Sequence, residues 1–275
     1  MSGAAGYAIP FATLPALHGM LWLRDAYRMV SRARLPWLVL LFIYYIVLGI
    51  IDVLPFIGQI AAPVLKPVFA VGFLAAAWAQ ERGGQPEPKH MFQGFRANLW
   101  ALIPLGIVLV AGVTLSVLAT ALVDDGKLLD VLSGKSKFDE TLLADNRVQY
   151  AMLLAIACAL PVLLALWFAP ALVVFQDCGA PQALRASLTA ALVNWRPFVV
   201  YALLVFFYGG VVPGMVTALV ALLAPAGLAF SISLVLLLPY LFLFIATLHV
   251  SDYVSYRQIF HAGEGADAAP PATTA

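Results

Sequence analysis

Leu153 to Phe175 reads LLAIACALPVLLALWFAPALVVF, a run without a single charged residue. An α-helix rises about 1.5 Å per residue, so roughly twenty such residues cross the ~30 Å hydrocarbon layer of a bilayer. Inside lipid each backbone amide must find its partner within its own segment or in a closed barrel. Barrel strands alternate polar and apolar side chains, and this run does not alternate. It therefore reads as a membrane-crossing helix, long enough to tilt or to break near Pro161 or Pro170.

Working outward, comparable runs recur along the chain. The spans are expected at about 36–54, 62–79, 99–123, 148–175, 198–223 and 228–250. The second is the shortest. The whole chain agrees: of 275 residues, 63% are hydrophobic and only 11% charged, with a mean hydropathy of +0.97. Soluble domains run near half apolar and a quarter charged. The expected class is an all-α membrane protein of six transmembrane helices arranged as three hairpins, with amphipathic interfacial helices on the cytoplasmic side. Residues 1–262 form one integral membrane domain, and the Ala-, Pro- and Thr-rich tail 263–275 reads as disordered. The opening MSGAAGYAIPFATLPAL lacks the basic region of a secretory signal, so the first span is expected to be retained.

Basic residues set the orientation. With six spans, Arg24, Arg28, Arg32, Arg34, Arg82, Lys89, Arg96, Arg185, Arg196 and Arg257 fall on one side. Lys127, Lys135, Lys137 and Arg147 fall on the other, among the acids Asp124, Asp125, Asp130, Asp139, Glu140 and Asp145. This split predicts both termini in the cytoplasm of a bacterial inner-membrane protein. Trp22, Trp37, Trp78, Trp100, Trp167 and Trp195 all map to the basic side as well, although tryptophan belts usually form at both interfaces.

Three stretches share a grammar: residues 23–42, 92–106 and 183–203 each carry arginine, then tryptophan and proline, then a long span. In the first, Arg24, Arg28 and Arg32 recur every fourth residue and share one helix face. Leu23, Ala26, Met29, Val30 and Ala33 oppose them. Such a helix lies in the interface with its cations towards anionic headgroups, as a membrane anchor or as a docking or lipid-sensing surface. In the third, Leu184, Leu188, Leu192 and Trp195 form an apolar stripe.

Charges inside spans are expensive. Asp52 ends the first span and Lys66 opens the second, so the turn between them is expected to bring the two into an intramembrane charge pair. The pair would serve as a rim clamp or, if it faces the bundle, as a charged gate. Prolines 63, 67, 104, 161, 170, 213 and 239 and the glycines of span five mark kinks, which in some transporters line substrate sites.

No chemistry-bearing motif appears. Cys158 and Cys178 lack the neighbours of a metal site, and the acidic loop lacks the spacing of a calcium loop. There is no HExxH, GxSxG elbow or glycine-rich phosphate loop. No cofactor, no catalytic residue and no nucleic-acid partner is expected. The expected partners are the lipid bilayer and other membrane proteins, and the oligomeric state stays open.

Leu21-Trp22-Leu23 through Pro36-Trp37, Phe168 to Asp177 running into Ala183-Leu184-Arg185-Ala186-Ser187, and Tyr253 to Phe260 together resemble a family of uncharacterised multi-pass inner-membrane proteins from proteobacteria. The resemblance implies an all-helical fold in the bacterial cytoplasmic membrane, and it implies no substrate, cofactor or catalytic residue. Function is left between a non-enzymatic component that organises or assists partner proteins and a small-molecule permease or channel.

Overall fold

The computed structural model describes residues 9–55, 58–137, 139, 142, 144–225 and 227–261. The tail from 263, Glu140, and parts of the two tight links (Phe56, Ile57, Ala226) lie outside the described residues. Among the described residues every regular element is helical. The order is α1 (His18–Arg32), α2 (Arg34–Asp52), α3 (Gly58–Glu81), a 3-10 segment (Pro88–Arg96), α4 (Leu99–Asp124), α5 (Lys127–Leu132), α6 (Asn146–Trp167), α7 (Ala169–Phe175), α8 (Ala180–Val193), α9 (Trp195–Phe206), a π-helical segment (Phe207–Val211), α10 (Val212–Leu223) and α11 (Ala229–Phe260).

Among the described residues six stretches are long and apolar enough to cross a bilayer: Arg34–Asp52, Gly58–Glu81, Leu99–Asp124, Asn146–Phe175, Trp195–Leu223 and Ala229–Phe260. Two exceed the expected limits by four residues or more. The second becomes a helix of 24 residues with Pro63 and Pro67 inside it. It runs on until Gly83, whose φ of +84° and bonds Gly84 N–H to Ala79 C=O and Gly83 N–H to Gln80 C=O form a Schellman turn. The sixth continues to Phe260 because its last turns bury Ser251, Tyr253, Ser255 and Tyr256 in protein rather than lipid.

The core is concentrated at the end of the bundle that carries α1, hereafter the α1 end; α5 stands at the opposite, α5 end. α1 packs on α9 and α11, α3 on α2, α4 and α11, and α4 runs against α6. Trp22, Trp37, Phe69, Phe73, Phe168, Tyr253 and Tyr256 are the largest fully buried side chains. Their rings interlock: Trp22 meets Phe198 edge-on at 5.3 Å, Phe168 meets Phe260 at 5.4 Å, and Tyr44 meets Phe73 at 5.4 Å. Edge-to-face contacts of this kind add to simple burial.

Two spans are interrupted, each at a proline. The fourth breaks at Phe168, between α6 and α7, rather than at Pro161, which stays inside α6. Pro170 lacks an N–H and its ring crowds the preceding turn. The Phe168 N–H donates to Ser187 Oγ at 3.0 Å, and that hydroxyl donates to the Leu164 carbonyl at 2.8 Å. A serine from α8 thus bridges the donor and acceptor that an unbroken helix would join directly. In the fifth span the π-helical turn precedes Pro213, and the Tyr240 hydroxyl donates to the Tyr208 carbonyl at 2.6 Å. In both places a side chain from a neighbouring helix occupies a group that lipid could not satisfy.

The second arginine–tryptophan stretch folds differently from the other two. Pro88–Arg96 is 3-10 rather than α-helical and lies along the middle of α3. Gly94 abuts the Val68 carbonyl, and Gly72 abuts the Met91 backbone. Such backbone contact leaves no room for a regular helix with side chains on that face.

Candidate functional site

The densest polar chemistry lies at the α1 end. Trp22 Nε1–H donates to Gln258 Oε1 at 3.0 Å, and His18 Nδ1 lies 2.8 Å from the same oxygen. Trp37 Nε1–H donates to Gln80 Oε1 at 2.8 Å, while Gln80 Nε2 donates to the Met29 carbonyl. Trp167 Nε1–H reaches Ser255 Oγ at 3.4 Å. Tyr253 donates its hydroxyl to Glu81, whose Oε2 also lies 3.3 Å from Arg257 Nε. Asn194, almost fully buried, accepts from Leu14 N–H and donates to the Ala12 and Ala190 carbonyls. This ties the N-terminal segment across the bundle, where Ala12 N–H also meets the Ile259 carbonyl.

These bonds account for half of the one-sided tryptophans. Three of the six are structural members of this cluster, each with its indole N–H on a glutamine or serine. Of the rest, Trp100 and Trp195 are exposed and Trp78 lies under the Arg82 guanidinium at 4.4 Å. Replacing Tyr253 with Phe removes a bond to a charged acceptor and is expected to cost about 2 kcal/mol, read as a lowered unfolding midpoint in detergent.

His249 stacks on Phe73 at 4.0 Å and meets the edge of Tyr44 at 5.7 Å. Asp177 sits in the turn after α7 with φ +51°. Among the described residues no hydrogen bond or ion pair joins Asp177, His249 and Asp252. Nor do any three of His, Cys, Asp and Glu converge there as metal ligands would.

The α5 end is closed by charge. Asp124 caps the end of α4 by accepting from Gly126 and Leu128 N–H, and the chain reverses through Asp125 and Gly126, both at positive φ. Lys127 Nζ meets Asp145 Oδ2 at 2.5 Å, and Arg147 Nη1 meets Asp125 Oδ2 at 2.6 Å. Within the acidic loop Lys127–Leu132 forms the short helix α5. The Lys127 hydrogen bond, then the Arg147 N–H, holds the Asp145 carboxyl below its usual range. A depressed carboxyl is ionised at neutral pH, so the Asp145 contribution is present above the ordinary carboxylate range and is lost as pH falls through the lower folded value. Acidification from about pH 5 to pH 2 is expected to loosen α5, read as faster amide exchange at Lys127–Leu132. Lys127→Met should shrink that step, leaving the part due to the Arg147 N–H.

The sequence-derived candidates fare unequally. Arg24, Arg28 and Arg32 are all exposed on α1, while Trp22, Leu23, Ala26 and Val30 are buried. Arg24 and Arg28 both reach Asp25, at 2.9 and 3.6 Å. The expected pairing of Asp52 with Lys66 is not formed: both side chains are exposed, and among the described residues no ion pair joins them. Depth is the reason. Lys66 lies eight residues after Gly58, about 12 Å along α3, while Asp52 sits at the very end of α2. α8 buries Ala180, Ala183, Ser187, Ala190 and Ala191; of the leucine stripe, Leu184 and Leu188 are half-buried, while Leu192 and, at the start of α9, Trp195 are exposed.

A probable inner membrane protein of Burkholderia thailandensis is 30% identical over 252 residues, which cover 90% of this chain and 92% of the relative. The chain belongs to this family of proteobacterial inner-membrane proteins. No family model and no solved structure matches. The three stretches that carry the family resemblance meet in one place. Trp22 bonds Gln258, Phe168 packs on Phe260 and Phe175 stacks on Tyr256 at 5.4 Å. These three stretches therefore build the packed α1 end of this multi-pass protein.

Proposed function

We propose that this protein is a non-enzymatic component of the inner membrane that organises or assists partner proteins. The reading takes the chain as one membrane domain of three two-span hairpins, with both termini and the amphipathic α1 and α8 on the cytoplasmic side. Asp52 and Lys66 are then separate charges that snorkel towards the outer headgroups. The supporting observation is the unequal packing of the spans. In the most apolar window of each, 56% of residues are buried for Gly58–Glu81 but only 6% for Trp195–Leu223 and for Ala229–Phe260. One end is a close-packed body. The last hairpin leaves that body with apolar faces that its own chain does not cover, which suits lateral association with other spans.

Photo-crosslinking in intact membranes tests this. Probes at Leu222 and Phe230, 80% and 78% exposed, are expected to yield discrete protein adducts. Adducts to lipid alone, from a chain that is monomeric in native membranes, would reject the reading. Reporter fusions at Asp139 and at the two ends test the orientation.

The interrupted fifth span favours a second reading, a small-molecule permease, because broken helices line some transport sites. Against it, the carbonyl at the interruption is taken by Tyr240. Solute-specific uptake into liposomes holding the purified protein would reverse the ranking.

A further inference from the structure

A groove of about 560 Å³ opens on the side of the bundle between α1, α9 and α11. That volume is within the range of small-molecule sites. Its body is apolar, with Leu204, Leu243 and Phe244 among its walls; its one charged lining residue, Arg24, lies on α1 beside Tyr27, while Tyr208, Tyr240 and Thr247 also line it. On α11 the lining runs from Thr247 to Tyr240, a length of about 10 Å. That is roughly two-thirds of one leaflet of the hydrocarbon layer.

The groove is built into the chain rather than left between loosely packed helices. The π-helical turn at Phe207–Val211 places Tyr208 on the groove wall, and the Tyr240 hydroxyl fixes it there through the Tyr208 carbonyl. Gly209 lets the Phe244 ring lie against the backbone, where a Cβ would come within 2.8 Å of it. Single π turns of this kind often mark functional sites. At the other end Arg24 lines the groove, and Arg28, one turn further along α1, reaches the same Asp25 carboxylate, so two cations share one anion beside the mouth. The exposed Tyr27 hydroxyl stands beside them with no hydrogen bond to the described residues.

We propose that this groove binds an anionic phospholipid, with its phosphate on Arg24 and Arg28 and one acyl chain between α9 and α11. A basic mouth on an apolar slot between membrane helices suits both halves of such a molecule. The proposal does not depend on the partner-organising role.

Native mass spectrometry of the full chain in detergent tests it. Dioleoylphosphatidylglycerol is expected to form a one-lipid adduct at roughly tenfold lower concentration than dioleoylphosphatidylcholine. The double variant R24Q/R28Q should bring the two lipids level. Leu204→Trp should reduce both adducts alike, by filling the slot without touching the charges. If that variant melts early, Met20→Trp fills the same groove from the α1 wall. Glycerol 3-phosphate, the headgroup chemistry without a chain, should not displace the phosphatidylglycerol. Equal adducts with both lipids, a preference that survives R24Q/R28Q, adducts indifferent to both filling variants, or displacement by glycerol 3-phosphate would each overturn the proposal.

Discussion

Alanine at Gly106 is expected to destabilise the protein by about 3 kcal/mol or more, while alanine at Gly49 is expected to stabilise it by roughly 0.5–1 kcal/mol. Both glycines lie inside membrane-crossing helices, and the substitution is the same. Their surroundings differ. A Cβ at Gly106 would stand 2.0 Å from the Val64 carbonyl oxygen and 2.6 Å from Val64 C and Cα. These are backbone atoms of α3, so no rotamer change can move them aside. α4 would have to withdraw from α3, and the contacts of Leu102 and Leu105, both fully buried, would open with it. Nothing lies within 4 Å of a Cβ at Gly49. There the methyl group only removes the backbone freedom that glycine loses on folding. The pair is measured by unfolding in mixed micelles against the parent protein. Equal and small effects would mean that α3 and α4 do not approach through their backbones at this point.

Membrane spans were legible in the sequence because hydrocarbon imposes one rule on every residue between its boundaries. A run such as 153–175 has few other readings. The arginine face of α1 was legible for a related reason: a four-residue spacing can only put Arg24, Arg28 and Arg32 on one side of a helix. What the runs do not encode is which apolar side faces protein and which faces lipid. Both environments accept leucine, so hydrophobicity cannot separate them, and close helix contacts in membranes favour small residues instead. α8 illustrates this. Its leucine stripe attracts notice in the sequence, yet its fully buried residues are Ala183, Ser187, Ala190 and Ala191, with Leu184 and Leu188 only half-buried.

The same limit explains the charge pair. Connectivity places Asp52 and Lys66 on either side of one turn, but their depths follow from where α3 starts, and that start at Gly58 lies earlier than the hydropathy boundary at 62. The helix rise then carries Lys66 out of reach. The tryptophans show the converse. Their one-sidedness is visible in the sequence, whereas the cause for Trp37, Trp167 and Trp22 lies in acceptors at Gln80, Ser255 and Gln258, up to 236 residues away in the chain for Trp22 and Gln258. Of the lateral groove, the sequence exposes Arg24 and the glycines of span five. The distance between them collapses only once α1 lies against α9 and α11.

Ser187→Ala is expected to cost about 3 kcal/mol, although it deletes a single oxygen from an otherwise intact helix. The serine is fully buried, and its hydroxyl serves two backbone groups, the Phe168 N–H and the Leu164 carbonyl. An unsatisfied buried donor or acceptor costs about 1–3 kcal/mol, and here both are orphaned together. In a regular helix these two groups would bond each other. Pro170 denies that repair, since its ring keeps the preceding turn from closing. Water is a poor substitute beside Phe168 and Ala169, both fully buried. The effect should therefore depend on the proline. In a Pro170→Ala background, where α6 and α7 can join, the penalty of Ser187→Ala is expected to fall below about 1 kcal/mol. Unfolding midpoints of the four proteins in one detergent give the coupling directly. Strict additivity would show that the serine stabilises the bundle by some route other than bridging the broken turn.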